Sequence, residues 1–250
     1  MRFPFRLSAS LFKARVSSLF AGASAAQPIF RLNSCITHLT ARQRLDENST
    51  ELEWHSPEEC ADRVRAISSP VVWLGGTDPL LHPEIGKAVD AIVETGRFVF
   101  VHASGYYLRQ RIHEFRPDSR LFLVLELAGR EESHNRAVGL ADAFHRSMEA
   151  FRAAKLSGFL VAAHVTVTAE TDPCDIGELI EFLDKKDVDG FMATASRHLD
   201  PSIQRNLEDS RSLIRFRSWE RFSALLDASY AQPAPAKLVA PGENVFEEGD

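Results

Sequence analysis

Val71-Val72-Trp73-Leu74-Gly75-Gly76-Thr77-Asp78-Pro79-Leu80-Leu81-His82-Pro83-Glu84-Ile85 is a short apolar run that stops at two glycines, passes an acidic-proline turn and enters a helical pattern. A strand that delivers a tight polar turn to a helix start is the unit with which α/β folds place small-molecule sites. Gly75 and Gly76 permit close approaches that a Cβ would block, Thr77 and Asp78 add polar groups, and Pro79 stiffens the turn. Taken alone, the segment also fits an ordinary βα loop.

The same alternation runs to both sides. Apolar, β-rich segments at 29–32, 71–74, 98–102, 121–127, 160–168 and 190–195 predict strands, and helical patterns at 57–66, 83–95, 107–115, 141–155 and 176–185 separate them. Ser56-Pro57-Glu58-Glu59 has the residues of a capping box, with proline at the first helical position. Ile85, Val89, Ile92 and Val93 make one buried stripe, and Gly96 ends it. Leu121-Phe122-Leu123-Val124-Leu125 is apolar without interruption, as in a strand covered on both faces. Six strand-helix units predict an α/β chain with an open, partial parallel barrel or a doubly wound sheet. In either, ligands gather at the C-terminal ends of the strands, which places candidate site residues at 33–38, 75–78, 103–105, 126–129, 166–168 and 194–196.

With 250 residues, 44% apolar and 26% charged, the chain can bury a full core without disulfides or metal. Cys35, Cys60 and Cys174 are odd in number and widely spaced, which favours a reducing, cytoplasmic setting. The net charge of −6 hides an asymmetry, because the first acidic residue is Asp46 and seven Lys or Arg precede it. Residues 1–27 therefore form a basic arm. Its apolar residues from Phe5 to Phe20 recur at helical steps, which suits an amphipathic helix lying on a membrane surface or one docked on the domain. The arm also has the Ser, Arg and Ala content of a targeting segment. The acidic body lacks a basic, aromatic face, so nucleic acid is not expected as a partner. Beyond residue 197 the pattern loosens into a helix near 218–228, a Pro/Ala-rich linker and an acidic end.

Chemistry-bearing residues are sparse. No Gly-x-Ser-x-Gly elbow, Gly-x-Gly-x-x-Gly fingerprint or phosphate loop occurs. Glu126 ends an apolar strand, where an unpaired charge is costly, so it should face the mouth and meet a cation or ligand. Thr166 and Thr168 lie two apart and can present both hydroxyls to one strand face. His102 and His164 read as hydrogen-bonded core histidines.

Gly76-Thr77-Asp78-Pro79, with its continuation to Ile85, resembles the second-strand turn of radical S-adenosylmethionine proteins, and most closely the hopanoid-biosynthesis branch that transfers an adenosyl group to a hopene. The likeness continues through His102-Ala103-Ser104-Gly105, the 111–117 segment, Glu132-Ser133-His134 and the 165–172 segment. It implies a partial (β/α)6 barrel over 28–196, a small-molecule site for S-adenosylmethionine, a [4Fe–4S] cluster, and radical chemistry on a lipid or isoprenoid-like substrate. By the same resemblance Gly75 to Pro79 hold the amino group of S-adenosylmethionine, while Ser104 meets its ribose or carboxylate.

The family's cluster loop carries cysteines spaced CxxxCxxC. Cys35 falls on the first, but Leu39 and Arg42 occupy the other two positions. A cluster of this class needs three thiolates; leucine cannot ligate iron and arginine keeps its proton. Cys35-x-x-His38 adds one imidazole, with His55 and Cys60 as outside candidates, but two ligands in a loop make a weak site. Asp78 is shorter than the glutamate of the family turn, and Ala128 stands where the branch has aspartate. The sequence thus predicts either impaired radical chemistry or an inactive relative that binds a small molecule or a partner enzyme.

Overall fold

A computed structural model of the chain describes residues 4–20, 29–33, 54–75, 78–168 and 170–195. The expectations placed on Cys35, His38, Leu39, Arg42, Gly76 and Thr77, and those beyond residue 195, lie outside the described residues.

Six strands, β1 (Ile29–Asn33), β2 (Val71–Gly75), β3 (Phe98–Ala103), β4 (Leu121–Glu126), β5 (Leu160–Val167) and β6 (Gly190–Ala195), form one sheet. All pairs are parallel, and the strand order is the sequence order. A doubly wound sheet reverses its strand order at a switch point, so the sequential order selects the partial barrel of the two predicted arrangements. The helices are α1 (Phe5–Phe20), α2 (Pro57–Arg65), α3 (Ile85–Glu94), α4 (Gly105–Arg111), α5 (Glu131–Val138), α6 (Ala143–Leu156) and α7 (Pro173–Asp184).

Because successive strand side chains point to opposite faces, the sheet has two cores. Val72, Leu74, Val99, Val101, Leu123 and Val161 pack in one cluster with α2, α3, α6 and α7 residues such as Cys60, Ile92, Phe151 and Leu179. The alternate positions Val71, Trp73, Phe98, Phe100, Phe122, Val124, Ala162 and Met192 make the second cluster, inside the curve of the sheet. There Phe100 stacks on Phe122 with ring centres 4.5 Å apart, and Trp73 stacks on Phe100 at 6.1 Å. Leu7 and Leu11 of α1 are buried in this inner cluster, so the arm helix docks on the domain. Phe5 and Phe12 point outward, at 85% and 69% exposure. No helix among the described residues is long and apolar enough to cross a membrane.

The predicted boundaries have the expected causes. Ser56 Oγ accepts from Glu59 N (3.2 Å) and Glu59 Oε2 accepts from Ser56 N (2.8 Å), completing the capping box of α2. Gly96, at φ 81°, takes the left-handed position that closes α3. Two helices depart from the sequence expectation. The pattern at 107–115 splits into α4 and a 3₁₀ turn, Ile112–Glu114. Helix α5 had no predicted counterpart, because Glu131–Val138 buries only His134 and so shows no apolar period.

Leu7→Ala should lower unfolding stability by about 2–5 kcal/mol through loss of packing in the inner cluster. Phe12→Ala should change it by less than about 0.5 kcal/mol. Urea denaturation of the two variants checks the docking of α1, which equal effects would refute.

Candidate functional site

Toward the strand C-termini the inner face changes from apolar to polar. Two residues beyond Phe100 comes His102, two beyond Val124 comes Glu126, and two beyond Ala162 comes His164, followed by Thr166. Glu126 and His164 are directly paired across β4 and β5. His102 Nε2 donates to Glu126 Oε2 at 2.6 Å, and His164 Nδ1 donates to the same oxygen. Thr166 Oγ1 donates to Oε1 at 2.8 Å. A carboxylate only accepts, so each imidazole must carry its proton on the nitrogen facing Glu126. The Trp73 ring lies against both, 5.5 Å from the His102 ring centre and 5.3 Å from that of His164.

Burial pushes the Glu126 carboxyl pKa up, but the charge and hydrogen bonds of His164 and His102 outweigh it and hold the group below the usual carboxylate range. Glu126 thus faces the mouth and meets donors, as its position at the end of an apolar strand requires. His102 and His164 are its partners, so their reading as hydrogen-bonded inner residues and its reading as a partnered charge describe one cluster.

After β2, Asp78 Oδ1 accepts from Leu80 N (2.9 Å), capping the 3₁₀ turn Pro79–Leu81, of which Pro79 and Leu80 are buried. Its Oδ2 accepts from Ser104 N at 3.2 Å, tying this turn to the end of β3. Gly75, the last residue of β2, lies against the Trp73 indole. A Cβ there would stand 2.9 Å from Trp73 Nε1, so the missing side chain makes room for the indole.

The turn is clamped from α4. Arg111 pairs bidentately with Glu114, Nε to Oε1 at 2.6 Å and Nη2 to Oε2 at 2.8 Å. It also donates to three carbonyls of the turn: Leu80, His82 (2.7 Å) and Pro83 (3.2 Å). His82 is buried; its Nδ1 accepts from Glu84 N (2.9 Å), so it must be Nε2–H that donates to His55 O (2.7 Å). Both residues therefore position the Asp78 turn.

A cavity of about 360 Å³ opens against the ends of β3, β4 and β5. Ser104, Glu126, Thr166 and Thr168 supply polar wall, while Tyr106, Val138 and Leu140 make it apolar on the α4–α6 side. Ser104 Oγ is buried and makes no hydrogen bond. The Thr166 hydroxyl is committed to Glu126, and Thr168 Oγ1 donates to Glu170 Oε2 at 2.9 Å. Ala128, also in the wall, has its N–H bound to Nδ1 of buried His134 at 3.2 Å. The other His134 nitrogen meets Ser147 Oγ at 3.4 Å.

Thiolate ligands are scarce. The chain has three cysteines. Cys60 is fully buried on α2, and burial pushes its thiol up to about 11, so it is protonated at neutral pH. Cys174 is exposed at the first turn of α7. His55 faces Glu59 at 3.7 Å. Among the described residues no trio of thiolates converges.

The family model of the radical SAM superfamily matches residues 35–183. Comparison with curated proteins gave no match. Among solved structures, Streptococcus suis SuiB bound to the precursor peptide SuiA aligns with a TM-score of 0.59 at 13% identity, covering 83% of this chain and 48% of SuiB. SuiB bound to S-adenosylmethionine gives 0.56 at 12% identity, covering 83% and 50%. At such identity the likeness is one of fold, and the chain spans about half the length of SuiB.

Arg111→Ala should cost about 2–3 kcal/mol in urea unfolding, with Arg111→Lys failing to restore it because the fork that reaches Glu114 and three carbonyls is lost. Full recovery in the lysine variant would exclude the clamp. A second expectation concerns acid. Burial lowers the His134 pKa from its ordinary 6.5, against an opposing pull from Glu126. The unfolded chain then takes up this proton first, so the contribution is complete above the unfolded value and is lost as pH falls through about 6.5 toward the folded value. Thermal melts at pH 7.5 and 5.5 should show a smaller drop in His134→Gln than in the parent.

Proposed function

The chain belongs to the radical SAM superfamily, and we propose that it keeps the S-adenosylmethionine end of that fold while lacking the three-thiolate cluster, so that it binds a small molecule without standard radical turnover. The cofactors of the family are S-adenosylmethionine and a [4Fe–4S] cluster. The observation that carries the binding half is Ser104. Its hydroxyl is buried and unpartnered in the cavity wall, while its N–H is held by Asp78 of the β2 turn. A buried hydroxyl without a partner costs stability unless a ligand supplies one. Ser104 is also the residue assigned to the ribose or carboxylate region by the family resemblance.

The other half rests on donor chemistry. Leu39 and Arg42 stand at two cluster positions, Cys60 is a buried thiol, and Cys174 opens α7. The apolar wall from Tyr106, Val138 and Leu140 supports a lipid or isoprenoid-like second ligand. A partner enzyme and contact with a membrane through exposed Phe5 and Phe12 fit the same reading. The second reading, an enzyme with residual radical activity, is favoured by the retention of Cys35.

Titration calorimetry with S-adenosylmethionine should show binding that weakens about five- to tenfold in Ser104→Ala, the loss of roughly one hydrogen bond. The same variant should be as stable as the parent without ligand, because no hydrogen bond is removed. Protein purified without oxygen should carry far less than about four irons per chain. No binding of S-adenosylmethionine would refute the first half of the proposal, and a full complement of iron and sulfide the second.

A further inference from the structure

We propose that His102, Glu126 and His164 are the ligands of a mononuclear site for a divalent first-row transition metal, open on one side to the cavity. One ligand atom of each lies within 4.8 Å of the other two. Two imidazoles and one carboxylate are the donor set of catalytic zinc sites and of non-haem iron(II) sites. Among the described residues, this is the one group of three such donors that converges.

The three ligands stand on adjacent strands, not on loops. Each is the inward residue near the end of β3, β4 or β5, over a packed floor of Phe100, Phe122 and Val124. Trp73 covers one side of both imidazoles. Donors held in this way converge without a metal, which lowers the cost of organising them around one. Thr166 supplies the outer support: its hydroxyl takes Oε1 of Glu126 and leaves Oε2 as the atom that both histidines already face.

Binding changes the hydrogen-bond pattern without opening the fold. Bonds of about 2.0–2.2 Å from metal to nitrogen or oxygen separate neighbouring donors by roughly 3–3.5 Å. His102 Nε2 and Glu126 Oε2, now 2.6 Å apart, would part by less than about 1 Å. Each imidazole would present a lone pair where it now presents N–H, which moves one proton per ring to the other ring nitrogen or to solvent.

Three protein ligands leave at least one coordination position, as in catalytic rather than structural sites. Glu126 and Thr166 line the cavity, so that position faces its occupant. A divalent ion with one carboxylate keeps a net charge of +1, which favours water, hydroxide or an anionic oxygen donor there, such as a carboxylate or phosphate group. The inference does not depend on S-adenosylmethionine binding, and the two can fail separately.

The test uses the full chain, freed of any affinity tag and stripped with chelator. Cobalt(II) should bind with one equivalent and give visible ligand-field bands, and zinc should displace it. Glu126→Gln and His102→Ala should each weaken cobalt binding at least a hundredfold, whereas Cys35→Ser should leave it unchanged. Circular dichroism and urea melts identify any variant that fails to fold. X-ray absorption of the zinc-loaded parent gives an answer that needs no variant: two imidazoles and oxygen scatterers, with no sulfur near 2.3 Å. Sulfur in that shell, cobalt binding that survives in folded Glu126→Gln or His102→Ala, or no stoichiometric binding by the parent would each overturn the proposal.

Discussion

A carboxylate carried to the end of an apolar strand must find donors or give up its charge, and the mouth of this sheet is organised around how Glu126 meets that demand. Its two oxygens are shared among His102 on β3 and His164 and Thr166 on β5. These bonds fix the relative height of three neighbouring strands at the level where the inner face turns polar. Below them the face is filled by aromatic rings and closed by Leu7 and Leu11 of α1. Above them the cavity begins. The boundary between packed floor and ligand space is therefore one layer of side chains thick, and each polar member of that layer is bound to another.

The second support is the turn after β2. It would be free to move if only its own backbone held it. Arg111 reaches it from α4 and binds three of its carbonyls, while Asp78 binds the end of β3. A single guanidinium joined to Glu114 thus secures the wall that carries Ser104.

Much of this was legible in the sequence where local chemistry has a fixed spacing. The capping box at Ser56, the stop at Gly96 and the apolar runs of β2 and β4 each follow from rules that act within a few residues. Glu126 could be assigned to the mouth because the cost of a charge in an apolar strand does not depend on what surrounds it. Partners brought together by the curvature of the sheet could not be read. His102 and His164 each looked like a solitary histidine, since nothing in the chain shows that Glu126 stands between them. That the indole two residues earlier folds back against Gly75 could not be read either. Helix α5 was missed because a helix that buries one histidine leaves no periodic trace. The expectation placed on the loop with Cys35, Leu39 and Arg42 lies outside the described residues.

Each strand of the sheet pairs only with its neighbours in sequence, and this makes the architecture divisible. The three strands that hold Glu126 and its donors are consecutive, spanning Phe98 to Val167. Exchanges at either flank, in β1 with its loop or in β6, leave every bond of that central triplet intact. A lineage can therefore rewrite the first loop of such a barrel without disturbing the middle. The chemistry at one end of the sheet and the pocket at its centre are free to diverge at different rates.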